Sequence, residues 1–337
     1  MRTLARPGHL ARRSVNALAE QWPLALVDDI EGIHQARVAS RRLRELVPVV
    51  ARNPSEGQAL TLRRDLRAVT RLLGPSRELD VAGLTLTALE ARIPAHAHAI
   101  AIMRGRVAEE RAKAAAAMHQ DVAGVDIARL AAHTFACSAH LNSARAIRVS
   151  AARAAARLDR RARELEAAVL GAGFVFAPGP LHSVRIALKK LRYSLEVVER
   201  FGRFRLRGSM QQLKQLQDLL GDLHDLQVLA GRVRDAIALA AAGTRPVLAA
   251  FVNEIDDEIR LLHSRFVTDR GGLVRVLARS ARVCDVLVSL PAPGRSRAHR
   301  ARGRAVSASG RTDHGHVFPL PDASRPGGRA GRRVSER

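Results

Sequence analysis

Residues 33–44 read IHQARVASRRLR, and residues 181–192 read LHSVRIALKKLR. The two segments align without a gap, and each is followed by a second matching segment. Residues 66–81, LRAVTRLLGPSRELDV, correspond to residues 213–228, LKQLQDLLGDLHDLQV. Two matching blocks at nearly constant separation indicate a tandem duplication, because self-similarity of this kind marks repeated structural units. The sequence therefore predicts two equivalent units packed about a pseudo-two-fold axis.

The rest of the chain has the periodicity of α-helices, and strand-like alternation is nearly absent. Pro and Gly interrupt the pattern at intervals of helix length. The predicted breaks are Asn53-Pro54, Gly74-Pro75, Pro94, residues 171–180, Gly202, Gly221 and Gly243. This pattern predicts an all-α fold of long antiparallel helices with short connections.

The charge of the chain favours anionic partners. Its 337 residues carry a formal net charge of +24, which concentrates polyanions near the surface. Aromatic residues make up only 3% of the chain, whereas modules for single-stranded nucleic acids stack bases on aromatic rings. The composition therefore favours a polyanion without bases.

The first repeated block forms a basic stripe when it is placed on a helix of about 3.6 residues per turn. The stripe consists of His34, Arg37, Arg41 and Arg44 with Arg42 at its flank, and of His182, Arg185, Lys189 and Arg192 with Lys190 at its flank in the second copy. The opposite face of the first copy is apolar and consists of Ala36, Ala39, Leu43, Leu46, Val47 and Val50.

Like charges at this spacing do not stabilise a helix. In the first copy, Glu45 is the acidic residue placed to neutralise Arg41 or Arg42 from the same helix. Arg grips phosphate oxygens with two parallel hydrogen bonds, while Lys acts as a point charge. The stripe therefore indicates a ladder of donors for an extended anionic chain.

The second repeated block extends the basic surface unequally. In the first half, the apolar stripe Leu62, Leu66, Val69 and Leu73 lies opposite Arg63, Arg64, Arg67 and Arg71. In the second half, Lys214 replaces Arg67, but Gln211 and Asp218 replace Arg64 and Arg71. We therefore expect the two halves to contribute unequally to binding.

Both blocks together resemble the CHAD family, the conserved-histidine α-helical domain, over roughly residues 20 to 285. The resemblance implies two pseudo-two-fold-related four-helix bundles around a central basic groove that binds inorganic polyphosphate. By position, it implies as binding residues His34, Arg37, Arg41, Arg42, Arg44, Arg67, Arg77, His182, Arg185, Lys189, Lys190, Arg192, Lys214 and His224. The basic face of the following helix adds Arg64 and Arg71. The chain departs from the family pattern at Glu78, where Asp is common. It also departs at His224, which occupies the position equivalent to Arg77 in the second repeat.

The predicted organisation is an N-terminal extension at 1–19, a CHAD domain at 20–285 and a disordered basic tail at 286–337. We expect the first bundle at about 20–140 and the second at about 141–285. The tail is rich in Arg, Ser, Gly and Pro and has no apolar periodicity. No stretch has the length and hydropathy of a signal peptide or membrane span. We therefore expect a soluble cytoplasmic protein without membrane partners, and the family resemblance implies a location at polyphosphate granules.

Four functions remain open from the residues. The first is non-catalytic binding of polyphosphate, with polyphosphate-metabolising enzymes as further partners, and the second is nonspecific binding of RNA or DNA. The third is an enzyme acting on phosphoanhydrides, which needs positioned carboxylates; we interpret the nearby Asp65, Asp80, Asp218, Asp222 and Asp225 as caps and salt bridges instead. The fourth is metal binding through histidines such as His96 and His98, which we interpret as ordinary core or surface residues. We expect no catalytic residue, metal or cofactor.

Overall fold

The computed structural model describes residues 7–289 apart from 56, 142 and 203. Within these residues the regular elements are α-helices and short 3₁₀ turns, which confirms the all-α prediction. The helices are α1 (Pro7–Leu26), α2 (Ile30–Val50), α3 (Gly57–Leu72), α4 (Gly74–Arg92), α5 (Ala97–Asp121), α6 (Ile127–Ser138), α7 (Ala144–Ala172), α8 (Pro178–Gly202), α9 (Arg207–Leu239), α10 (Arg245–Asp269) and α11 (Leu273–Val288). Every helix of this described part is too short or too polar to cross a lipid bilayer.

The duplication is visible in the way the helices pack. Helix α1 packs on α2 as α7 packs on α8, and α2 packs on α3 as α8 packs on α9. The order continues with α4 on α5 matching α9 on α10, and α6 on α1 matching α11 on α7. The two halves are therefore repeats of one helical arrangement, in which the long α9 takes the place of α3 and α4 together.

The helix break at Gly74-Pro75 occurs in one half only. Helix α3 ends at Leu72 and α4 begins at Gly74, because Pro75 has no backbone N–H to donate and its ring prevents helix continuation. The equivalent Gly221 is followed by Asp222, and α9 runs through both without interruption. The predicted break at Gly221 is therefore wrong, since a single Gly costs a helix only about 1 kcal/mol.

The predicted apolar face of α2 is confirmed. Its members are all buried, with relative exposures between 0% and 7%. Helix α2 separates two apolar clusters: Leu43 and Val47 pack with α1, α3 and α6, while Leu46, Val49 and Val50 pack with α4, α5 and the helices of the second half. The apolar core thus continues across residue 140, where the chain passes from one repeat to the next.

Helix α1 corrects the predicted N-terminal extension. It begins at Pro7, and its apolar residues at helical spacing, Leu10, Val15, Leu18 and Trp22, are buried against the bundle. Residues 7–19 therefore belong to the domain, because their removal would uncover one side of α2. At the other end, α11 continues to Val288, and the predicted disordered tail lies outside the described residues from 290 onwards.

A buried ion network sets the start of α2. Asp29 caps the helix by accepting a 2.6 Å hydrogen bond from the Gly32 amide. The preceding Asp28 has φ of 63° and binds Arg111 of α5 through both carboxylate oxygens. Arg111 also donates to the buried Asp80 of α4 at 2.6 Å. These contacts join the start of α2 to α4 and α5 and so position the basic stripe that follows.

Glu45 does not neutralise the basic stripe as expected. Its carboxylate is buried and lies 2.7 Å from Arg157 and 3.0 Å from Arg161, both on α7. Glu45 therefore joins the two halves, and it leaves the charge of Arg41 uncompensated on α2.

We predict that Glu45→Gln lowers the free energy of unfolding by roughly 3 kcal/mol, because removal of one partner leaves buried guanidinium groups without their counter-charge. Urea unfolding monitored by circular dichroism measures the change. Glu109→Gln is the matched control, since it removes an exposed carboxylate that is paired with Lys113. Equal stability of the two variants would show that the Glu45 network does not hold the halves together.

Candidate functional site

A cavity of about 750 Å³ lies between the two copies of the basic motif. Its walls come from α2, α4, α8 and α9. Among the described residues, the cationic side chains that line it are Arg37, Arg41, Arg77, Arg185, Lys189 and Arg232. The two halves of the sequence therefore contribute to one cationic space.

Fewer than half of the predicted binding residues line the cavity. Of the predicted binding residues, those lining it are His34, Arg37, Arg41, Arg77, Arg185, Lys189 and His224. Those outside its lining are Arg42, Arg44, Arg64, Arg67, Arg71, His182, Lys190, Arg192 and Lys214. Periodicity assigns each residue to a face of its own helix, but only the packing of the helices decides which side chains reach the cavity.

Several of the outlying cations are neutralised by ion pairs. Glu196 of α8 accepts from Arg42 at 2.8 Å and from Arg192 at 2.6 Å, and Lys190 lies 3.8 Å from Glu164. The Arg42–Glu196 pair joins α2 to α8 and holds the two motif helices at a fixed position relative to each other. In the unliganded protein these three cations form ion pairs next to the cavity and do not line it.

Arg37 is fixed at the cavity wall. Its guanidinium Nη1 donates a 2.6 Å hydrogen bond to the Thr70 carbonyl of α3. Ser40, one turn further along α2, shares a 2.9 Å hydrogen bond with the Thr70 hydroxyl. Burial, then the charges of Arg41 and Arg77, lower the pKa of Arg37 to about 10. The cavity thus holds a preorganised cation under electrostatic repulsion.

Lys189 is the most perturbed cation of the cavity. Burial, followed by the charges of Arg185 and Arg41, lowers its pKa to about 7, and Asp225 opposes this shift. An anion among these groups would favour the charged ammonium. The unliganded cavity therefore contains charge that an anionic ligand would stabilise.

The histidines of the site are neutral at neutral pH in the unliganded protein. Burial and the neighbouring Arg185 lower the pKa of His224 to about 4, and burial also lowers the pKa values of His34 and His182. The rings of His182 and His224 lie 4.9 Å apart between centroids. Each ring offers one N–H donor until an anion favours its protonation.

Among the described residues, four carboxylates line the cavity in addition to the predicted binding residues. They are Glu78 of α4 and Asp218, Asp222 and Asp225 of α9. The three aspartates are spaced four and three residues apart, so they share one helix face. Asp225 lies 3.8 Å from Arg185, which is an inter-helix ion pair of the kind we expected for these residues. Within the described residues, no group of three or more His, Cys, Asp or Glu is placed to hold a metal ion.

Arg232 is a further cavity residue that the motifs did not indicate. It lies on α9 beyond the repeated block and forms ion pairs with Glu78 at 3.2 Å and with Glu110 of α5. These pairs join the second half to the first across the cavity. Its position is set by tertiary packing, and no sequence motif marks it.

Comparisons with known proteins agree with this architecture. The CHAD domain family model matches residues 9–234. A solved structure described as PptA from Streptomyces chartreusis is similar, with a TM-score of 0.53 and 16% identity over 82% of this chain and 98% of that one. The CHAD domain from the plant Ricinus communis has a TM-score of 0.48 and 21% identity over 86% of this chain and 94% of that one. At such identities the likeness to PptA concerns the fold alone. No curated protein matches the sequence.

We predict that Lys189→Met stabilises the unliganded protein at pH 6 and that this advantage shrinks by pH 9. Because the folded-state pKa of about 7 lies below the ordinary value of 10.5, folding is penalised fully below pH 7, and the penalty declines as pH rises. The facing Arg37, whose pKa is lowered to about 10, stays largely charged over this range. Urea unfolding at both pH values measures the difference.

The control for this prediction is Lys113→Met, which removes an exposed lysine on α5. It should change stability by the same amount at both pH values. If the effect of Lys189→Met on stability did not depend on pH, the lowered pKa of Lys189 in the folded protein would be contradicted.

Proposed function

The chain belongs to the CHAD family, and from this membership and the cavity we propose that it binds inorganic polyphosphate without cleaving it. The observation that carries the proposal is the meeting of the two motif copies in one cavity, with Arg37 and Arg41 from α2 and Arg185 and Lys189 from α8. The family resemblance of both repeated blocks implies this ligand. The proposal includes a cytoplasmic location at polyphosphate granules and contact with polyphosphate-metabolising enzymes.

The chemistry of the cavity suits a chain of phosphate groups. Guanidinium groups bind phosphate oxygens in pairs of parallel hydrogen bonds, and charge-assisted bonds are about twice as strong as neutral ones. Phosphate oxygens would also offset the burial and the neighbouring positive charges that lower the pKa of Lys189. Binding and proton uptake are therefore linked in this proposal, and affinity should decrease above pH 7.

The lining of the cavity favours phosphate without bases over nucleic acid. Among the described lining residues there is no Phe, Tyr or Trp on which a base would stack. Nucleic acid retains its phosphate contacts with the basic surface, so weak nonspecific binding of RNA remains compatible with the structure. Competition between the two ligands distinguishes the proposal from this alternative.

We predict that Arg41→Gln combined with Lys189→Met weakens polyphosphate binding by roughly 100-fold, because two charge-assisted contacts are lost. Isothermal titration calorimetry measures the affinity, and circular dichroism checks the fold. Arg145→Gln combined with Arg148→Gln is the control, since it removes two exposed charges on α7 outside the cavity.

On wild-type protein, polyphosphate should displace RNA at matched phosphate concentration. Displacement of polyphosphate by RNA would overturn the proposal.

We also predict no phosphate release from polyphosphate in the presence of Mg²⁺ or Mn²⁺, because Asp225 is engaged with Arg185 and the proposed role is binding alone. A colorimetric phosphate assay measures release over time. Turnover by wild type that is lost in the Arg41→Gln and Lys189→Met variant would replace the binding role with an enzymatic one.

A further inference from the structure

We propose that a bound polyphosphate leaves the cavity on one side only, over an exposed arginine face of α3, and that affinity therefore rises with chain length. The α3 face consists of Arg64, Arg67 and Arg71. The inference rests on the proposed function and adds the path of the ligand beyond the cavity.

The end of α3 is attached to the cavity wall. Arg37, which lines the cavity, donates to the carbonyl of Thr70 in the last turn of α3. Gly74, which follows α3, also lines the cavity, and a Cβ at this position would lie 3.3 Å from Arg37 Nη1. A ligand that extends from Arg37 out of the cavity therefore reaches the C-terminal end of α3, which carries Arg71.

The α3 face provides free cations that continue from this point. Arg64, Arg67 and Arg71 are exposed, and none of them has an ion-pair partner within the described part of the chain. They share one helix face and extend the ladder by about 10 Å at 1.5 Å of rise per residue. The acidic residue of the same helix, Asp65, lies 3.7 Å from Arg129 of α6 and does not neutralise them.

Arg44 continues the basic stripe of α2 beyond the cavity residue Arg41. It is half-buried on α2, one turn beyond Arg41. Its pKa is lowered by burial first and then by the charge of Arg67, with smaller effects from Arg41 and Arg63. Arg44 lies one turn from the cavity residue Arg41 on α2, and α2 packs directly on α3, so the basic residues of the two helices form a continuous path out of the cavity.

The corresponding surface of the second half does not offer such a path. The positions that match the α3 face are Gln211, Lys214 and Asp218 on α9, which together carry no net charge. Arg192, which matches Arg44, donates to Glu196 at 2.6 Å and to Gln217 at 2.8 Å. The second half has an equivalent helix surface on α9, but among the described residues only the first half carries a continuous set of unpaired cations there.

This asymmetry makes the affinity for polyphosphate depend on the length of the phosphate chain. A short phosphate chain that fits within the cavity has no contact with the α3 face. A longer chain adds three arginine contacts, each of modest strength because the side chains are exposed. The α3 face should therefore contribute to long-chain affinity and leave short-chain affinity unchanged.

The test compares tripolyphosphate with long-chain polyphosphate on the full-length protein by calorimetry at low salt. In the variant Arg64→Gln, Arg67→Gln and Arg71→Gln, we expect long-chain affinity to fall roughly tenfold and tripolyphosphate affinity to stay unchanged. The matched control Arg145→Gln, Arg148→Gln and Arg282→Gln removes the same charge from exposed positions on α7 and α11 and should alter neither affinity.

The outcomes separate this inference from the proposed function. An equal loss in the matched control would mean that bulk charge acts, and a loss of tripolyphosphate binding would place the α3 arginines in the cavity site itself. Unchanged long-chain affinity would show that there is no exit over α3. Each of these results overturns the one-sided path while cavity binding stands, whereas a wild-type protein that binds neither phosphate chain would overturn the proposed function.

Discussion

The repulsion between like charges where α2 meets α8 is the constraint on which the rest of the structure depends. Arg37 and Arg41 from one repeat face Arg185 and Lys189 from the other across a partly buried space. A fold does not gain stability from such an arrangement, since burial first, and then the neighbouring charges, lower the pKa of Lys189. The surrounding packing must therefore hold the two helices together against it.

The compensation comes from carboxylates placed behind the cations. Glu45 binds Arg157 and Arg161 of α7, and Glu196 binds Arg42 and Arg192. Both carboxylates connect the first half of the chain to the second. They hold α2 in place without neutralising the cavity residues. The side chains that stabilise the helix packing are therefore different from the side chains that make the cavity cationic.

The two halves share a fold but differ in how charge is distributed on it. The break before Pro75 starts α4 at the cavity, and its first residue Gly74 lies against Arg37. The uninterrupted α9 instead presents Asp218, Asp222 and Asp225 to the same space. The described residues of the first half consequently contribute three cations and one carboxylate to the cavity, whereas those of the second contribute three cations and three carboxylates, a difference that a strictly symmetric duplication would not produce.

By itself, the sequence determined the helical class, the duplication and the basic stripe, because these depend on local periodicity and on the repeat of residues 33–44 at 181–192. It also determined which face of α2 is buried, since Leu43 and Val47 recur at helical spacing. Only the tertiary structure decided that Arg37 reaches the cavity while Arg42 pairs with Glu196, and that Arg232 and three aspartates of α9 join the site. The physical reason is that periodicity assigns a residue to a helix face, whereas the partner helix determines whether that face meets another charge, an apolar core or open space.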